Sequence, residues 1–362
     1  MSTVFDRLEA RILAAADERE QSLARAEHAC YLARAGQFGV ARRIAGELRE
    51  QAGNNLSLNL GIWLNILDGL IAYFEFLDPL ARNKLRAAQA LAVAGKNQRL
   101  AALASAWLAH VELDLGNFAA FRNALQMYFD WAIESGEDAA LRAHMTVANA
   151  LMHVGRRSEA QLDYEIARRC AVNIGDEIAI GALMYNRAAF ALSFVRFQGV
   201  AGIAFDEDWF KYISMEVESA KTFQFATGVD ALTSQMLCCY GEALLLLGRH
   251  AEAARVLEEV LENEDGGTQR VSWKATADLT LCLCQLSEHQ RAKDLFKKFR
   301  LMVPPKMDAD DEAIAMDTLG LIAGFLGERD LAVESAITKR AAVGRHVGSR
   351  SVLLNHLSSI RR

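Results

Sequence analysis

A small residue recurs about every 40 positions along this chain, and an alanine follows each one twelve residues later. The pairs are Ala29/Ala41, Gly69/Ala81, Ala148/Ala160, Gly241/Ala253, Thr280/Ala292 and Gly320/Ala332, and Ala109 keeps the first half of the pattern with Phe121 in the alanine's place. The second column runs 41, 81, 121, 160, 253, 292, 332, so its steps are 40, 40, 39, 93, 39 and 40. The long step is two periods plus roughly a dozen residues. A fixed period of this size marks stacked supersecondary units, each of which buries its apolar face only against its neighbours. That constraint overrides the two or three globular domains that 362 residues would otherwise suggest.

Each period reads as helix, turn, helix. Proline occurs three times in the whole chain, which suits a nearly all-helical fold, since proline breaks helix interiors. The turns within the pairs are Ala35–Phe38, Leu115–Phe118, Val154–Arg157, Leu247–His250, Leu286–His289 and Leu326–Arg329. Between pairs the motif is a glycine followed by Asn or Asp, at 52–55, 94–97, 135–138, 174–177 and 227–230. Glycine closes one helix in the left-handed conformation and the polar residue caps the next. Eight helical pairs follow, with turns expected near 36, 76, 116, 155, 196, 248, 287 and 327.

The mid-helix small residue, the glycine turn and the early alanine of the second helix resemble the tetratricopeptide repeat family over roughly residues 20–345. The period exceeds the family's usual length and is similar to the variant in sensor regions of bacterial multidomain regulators. The resemblance implies an all-α, right-handed superhelical solenoid of about eight pairs occupying 1–362. Residues 1–18 and 347–362 are expected to form capping helices around repeats spanning 19–346. The extra residues fall in the fifth pair. Its first helix is expected to end near Phe194–Arg196 and its second to begin at Asp206–Asp208, leaving an insert near 197–208. The apolar make-up of the insert nominates Phe197, Ile203 and Phe205 as contact residues.

In the family the first helices line a concave groove, and that register nominates site residues. The second pair offers Trp63, Tyr73 and Phe74, with Ile66 and Leu70, as an apolar patch. Later pairs offer a polar line: His110, then Arg142, Asn149 and His153, then Asn186 and Arg187, then Glu242. Asn offers both a donor and an acceptor to an extended peptide, and Arg suits a carboxylate. Replacing Asn149 and Asn186 together by Ala is expected to abolish partner binding with little loss of stability.

Other function classes find less support. No HExxH, CxxC, G-x-S-x-G or G-x-x-x-x-G-K-[ST] pattern occurs, and His144 and His153 are nine apart rather than four. No catalytic residue, metal or cofactor is therefore expected. The net charge of −6 gives no reason to expect nucleic-acid binding. The basic residues Arg291, Lys293, Lys297, Lys298 and Arg300 read as a solvated helix face. The six cysteines, at 30, 170, 238, 239, 282 and 284, read as buried apolar side chains. Leu56–Phe74 is apolar and long but falls in repeat register, which makes it a buried repeat helix rather than a membrane span. The N-terminus lacks a secretory pattern, so a cytoplasmic location is expected. The preferred function is a non-catalytic adaptor holding a protein or peptide segment in its groove. The alternatives are a ligand- or peptide-responsive regulator that forms a homodimer and, third, an enzyme on a helical scaffold.

Overall fold

The computed structural model describes residues 3–76, 78–203, 207–227, 232–262 and 269–361, with the side chains of 134, 207–211 and 227 left out. The described residues form seventeen α-helices and a short 3-10 turn at Ala132–Glu134, with no strand among them. Helix α1 is Val4–Leu13, and eight helical pairs follow. They are α2 (Glu18–Arg34) with α3 (Phe38–Ala52), α4 (Leu58–Phe76) with α5 (Leu80–Ala94), α6 (Gln98–Asp114) with α7 (Phe118–Asp130), and α8 (Glu137–His153) with α9 (Arg157–Asn173). Then come α10 (Glu177–Val200) with α11 (Glu207–Thr227), α12 (Thr233–Leu246) with α13 (His250–Glu262), α14 (Gln269–Gln285) with α15 (His289–Phe299), and α16 (Ala309–Leu326) with α17 (Arg329–Ser358).

The columns seen in the sequence sit where the two helices of a pair cross. Ala29, Ala41, Ala81, Ala109, Phe121, Ala148, Ala160, Ala253 and Ala292 are fully buried. The second helix of a pair buries one stripe: α5 inserts Ala81, Leu85, Ala88 and Ala92, the spacing of a single helix face. Glycines close most of the hairpin turns. Ser287 takes the left-handed position that glycine fills in the neighbouring hairpins, at φ 62°, a conformation that costs a non-glycine residue about 1–2 kcal/mol.

The chain divides into two compact units, Met1–Leu183 with Val352–Arg362, and Met184–Ser351. In the first, α1 begins with a capping box between Thr3 and Asp6 and packs Val4 and Leu8 on Tyr31 of α2. The Val4 amide donates to the Gly175 carbonyl at 3.0 Å. The second unit is built on a core in which Leu257, Trp273, Phe296 and Phe299 meet. Among the described residues, α10 is the one helix long and apolar enough to cross a membrane by length and composition. The Leu56–Phe74 stretch lies mostly in α4, whose Leu60, Ile62, Trp63, Leu64, Ile66, Leu67 and Leu70 are buried.

Two expected boundaries are corrected. Helix α10 does not stop at Phe194–Arg196 but continues to Val200 and ends at Gly202, φ 70°. The Ile203 amide there donates back to the Gln198 carbonyl at 2.9 Å. The helix persists because its last turns are buried: Phe197 packs among Ala313, Ile314 and Ala342, and the Arg196 guanidinium is anchored by carboxylates. Nor does a separate helix begin near 347, because α17 runs unbroken from Arg329 to Ser358. Lys339 and Arg345 tie it to α16 through Asp317 and Glu312, at 2.9 and 2.7 Å. This docking outweighs the helix-weakening Gly344 and Gly348.

Candidate functional site

In the first unit the first helices of four successive pairs, α2, α4, α6 and α8, converge on a cavity of about 20 Å³. That is room for one water-sized group. Its walls include Tyr31 and Arg34 of α2, Trp63 of α4, Trp107 of α6, Arg142 of α8, and Asp176 just before α10. Trp63 is thus a buried wall rather than an exposed patch, and Ile66 and Leu70 are buried with it.

The structure brings four nominated residues together around Trp107, which the sequence reading did not nominate. Phe74 and His110 meet the indole edge to face, with centroids 5.9 Å away in each case. Tyr73 contacts both Phe74 and His110, and its hydroxyl donates to Asp114. Tyr73 and Phe74 are half-buried. His110 is buried. Burial first, and then the charge of Arg142, pull its pKa well below the ordinary imidazole value, so the ring is neutral at pH 7.

Arg142 sits over the same indole, its guanidinium carbon 3.6 Å from the Trp107 centroid. It is 5% exposed, and its Nε is buried with no partner among the described residues. Burial and the nearby Arg34 charge draw its pKa down to about 9. The stacking contributes about 1–2 kcal/mol, which does not offset the several kcal/mol lost when a cation leaves water.

Arg34 shows the contrast. Its terminal nitrogens donate to both oxygens of Asp176, at 2.7 and 3.1 Å, and both side chains are buried. Asp176 also accepts the Ala179 amide at 2.9 Å, capping α10. This pair joins residues 142 apart in the chain and ties α2 to the turn before α10. The sequence held one signal for it, since Asp176 belongs to the recurring glycine-Asx turn.

The rest of the expected polar line does not form a shared surface. Asn149 is buried and accepts the Tyr164 hydroxyl at 2.8 Å. Its removal would take away a buried hydrogen bond worth about 1 kcal/mol, more than the little loss of stability expected of the Asn149→Ala and Asn186→Ala pair. His153 is half-buried at the end of α8. In the second unit Asn186 is half-buried, and Arg187 donates to Glu216 at 2.6 Å and to the Tyr212 hydroxyl at 3.2 Å. Glu242 is a buried structural acid rather than a groove residue. It accepts from Arg196 at 2.8 Å and from Lys274 at 2.9 Å. Arg196 also forks onto Asp278 at 3.0 Å and reaches Thr318 at 3.2 Å. Burial opposes ionisation of Glu242, but Lys274 and Arg196 outweigh it and hold the carboxyl at about 2. Sequence reasoning missed this cluster because its members come from α10, α12, α14 and α16.

Of the insert residues, Phe197 is buried inside α10 beside His346, ring centroids 4.3 Å apart, so it is a core residue. Ile203 is 52% exposed, and Phe205 lies outside the described residues, as do Asp206 and the 228–230 part of one expected turn. His144 pairs with Asp163 at 2.7 Å, and no described hydroxyl or thiol completes a nucleophilic triad with it. All six cysteines are buried and free. In the basic segment, Arg291 is paired with Glu258 and Glu288, and Lys297 with Asp294.

No protein-family model matches the chain, and no curated protein matches it in sequence. Solved structures do match its fold. One is the crystal structure of a Rap protein complexed with competence and sporulation factor, at a TM-score of 0.59 and 11% identity, covering 93% of this chain and 99% of that one. At this identity the likeness is one of fold, and the chain is an all-α helical-repeat protein of that architecture.

Proposed function

We propose that this chain is a non-catalytic binding protein, a helical-repeat scaffold that holds a peptide or protein segment. The observation that carries the reading is the convergence of the first helices on one inner face. There aromatic side chains and a polar group without a described partner, Arg142, stand together rather than a nucleophile with a base. The fold likeness supports it, since the Rap protein of similar architecture is seen in complex with a factor. Tyr73, Phe74 and His153 in the first unit and Asn186 in the second keep partly exposed side chains and are the nominated residues a partner can touch.

The test is affinity capture from native lysate with wild type beside Phe74→Ala and Asn186→Ala, read by mass spectrometry. The captured segment is then resynthesised and titrated against each protein. A segment that binds wild type and is weakened at least tenfold by either substitution supports the scaffold. Equal titration curves for all three proteins would overturn these residues as contacts. Failure to recover any saturable partner would count against the scaffold itself. Light scattering with and without the segment reads whether the chain also pairs with a second copy.

A further inference from the structure

The charged side chains around the cavity of the first unit are paired, with one exception. Arg34 is matched by Asp176, and Arg99 by Asp138 at 3.1 Å. Glu27, behind them, is taken by Arg11 at 2.6 Å. Tyr31 and Cys30 are neutral, their pKa values pushed up chiefly by burial, and His110 is neutral for the reason given above. Arg142 has no ion-pair partner among the described residues, and Asp176 and Asp114 act on it only at a distance.

The way Arg142 is held also matters. One face of the guanidinium is covered by Trp107, but the hydrogen-bonding edge of a guanidinium lies in its plane, so stacking leaves the edge unused. The Nε atoms of Arg142 and Arg34 are both buried without a partner among the described residues. Within one guanidinium the Nε–H and the adjacent Nη–H lie in one plane and match the two oxygens of a carboxylate. The volume of about 20 Å³ takes a group the size of one carboxylate oxygen, so the rest of the acid stays outside it.

We propose that Arg142, seated on Trp107, anchors the carboxylate of a monoanion, with one carboxylate oxygen in this cavity. The carboxylate belongs either to a small free acid or to a chain terminus. The site does not depend on the scaffold reading, since a free acid fills it without any protein partner.

The experiment titrates the full chain with sodium acetate, with acetyl-Ala-Ala-Ala bearing a free C-terminus, and with the C-terminal amide of the same tripeptide. Ionic strength is held constant with sodium fluoride. Tryptophan fluorescence reports on Trp107 and Trp63 in the walls, and the melting temperature provides an independent readout. Wild type is expected to give a saturable fluorescence change and a rise in Tm with a carboxylate ligand. Response to the free-acid tripeptide at lower concentration than acetate, with none to the amide, assigns a chain terminus. Response to acetate alone assigns a small acid. Arg142→Met should fold with equal or higher Tm without ligand and lose the response. Arg142→Lys keeps the charge without the planar edge and should bind at least tenfold more weakly, which preserves the test if the methionine variant does not fold. No saturable response in wild type, an amide that acts like the acid, or variants that respond like wild type would overturn the proposal.

Discussion

Replacing one glycine by alanine should change stability in opposite directions at equivalent positions of different repeats. A Cβ on Gly69 would stand 2.8 Å from Leu85 Cγ and 3.1 Å from its Cδ2. On Gly241 it would stand 2.7 Å from Leu257 Cδ2 and 2.8 Å from Cγ. Cγ is the branch point of leucine, so turning the end of the side chain leaves it in place. Both leucines are fully buried, so neither can swing away, and the helices must part. Overpacking of this kind costs about 1–3 kcal/mol, while replacing a helical glycine by alanine returns about 1 kcal/mol. The net expectation is a loss of about 1 kcal/mol at Gly69 and Gly241. At Gly320 the nearest atom to a new Cβ is that of Ser335 at 3.6 Å, an ordinary contact. Gly320→Ala should therefore gain about 0.5–1 kcal/mol. Urea denaturation followed by helical circular dichroism measures all three. Leu85→Ala then supplies the decisive background: it removes the obstructing Cγ, and Gly69→Ala should become stabilising there by about 1 kcal/mol. If Gly69→Ala stabilises the wild-type chain as Gly320→Ala does, or costs the same with and without Leu85, the steric account of the repeat is wrong.

Two further outcomes follow from the buried charges. The Glu242 carboxyl is held at about 2 in the folded chain against an ordinary 4.5. Its contribution is complete above that ordinary value and disappears as pH falls toward 2, on the order of 3 kcal/mol in all. Glu242→Gln should be less stable at pH 7 and lose less between pH 5 and 2, and parallel pH profiles would refute this. Arg34→Met leaves Asp176 buried and unpaired and should cost about 3–5 kcal/mol. Arg34→Met with Asp176→Leu should recover much of that loss in thermal melts, and a double variant no better than the single would contradict it.

The repeat was legible because helix crossings impose it locally. The alanines at 41, 81, 160, 253 and 292 are fully buried where the helices of a pair meet, so the spacing shows in the sequence whatever lies around it. The end of α10 was not legible. Gly199 and Gly202 both offer a stop, and the choice falls on Gly202 because Phe197 is buried against residues more than 100 positions away in sequence. The polar line failed for a similar reason. Register assigns a side chain to the inner face, but whether that face is open depends on contacts distant in sequence, and Trp63, Leu70 and His110 are buried there.

One signal of that closure was nevertheless present. A helix lining an open groove should leave one face free, and α5 shows how a single stripe looks. Helix α6 shows none: every residue from Leu100 to Glu112 is buried, and α8 buries all of Met145–Met152. Where a helix is apolar on every side, the informative residue is the charge that interrupts it. Such a charge is either paired within the chain, as Glu112 is with Arg86 at 2.6 Å, or left over, as Arg142 is. A buried unpaired guanidinium lowers stability by several kcal/mol relative to an apolar side chain of similar volume. Folding does not account for it. The proposed carboxylate would, which makes Arg142 a sharper test of what this protein recognises than any residue picked by its place along a groove.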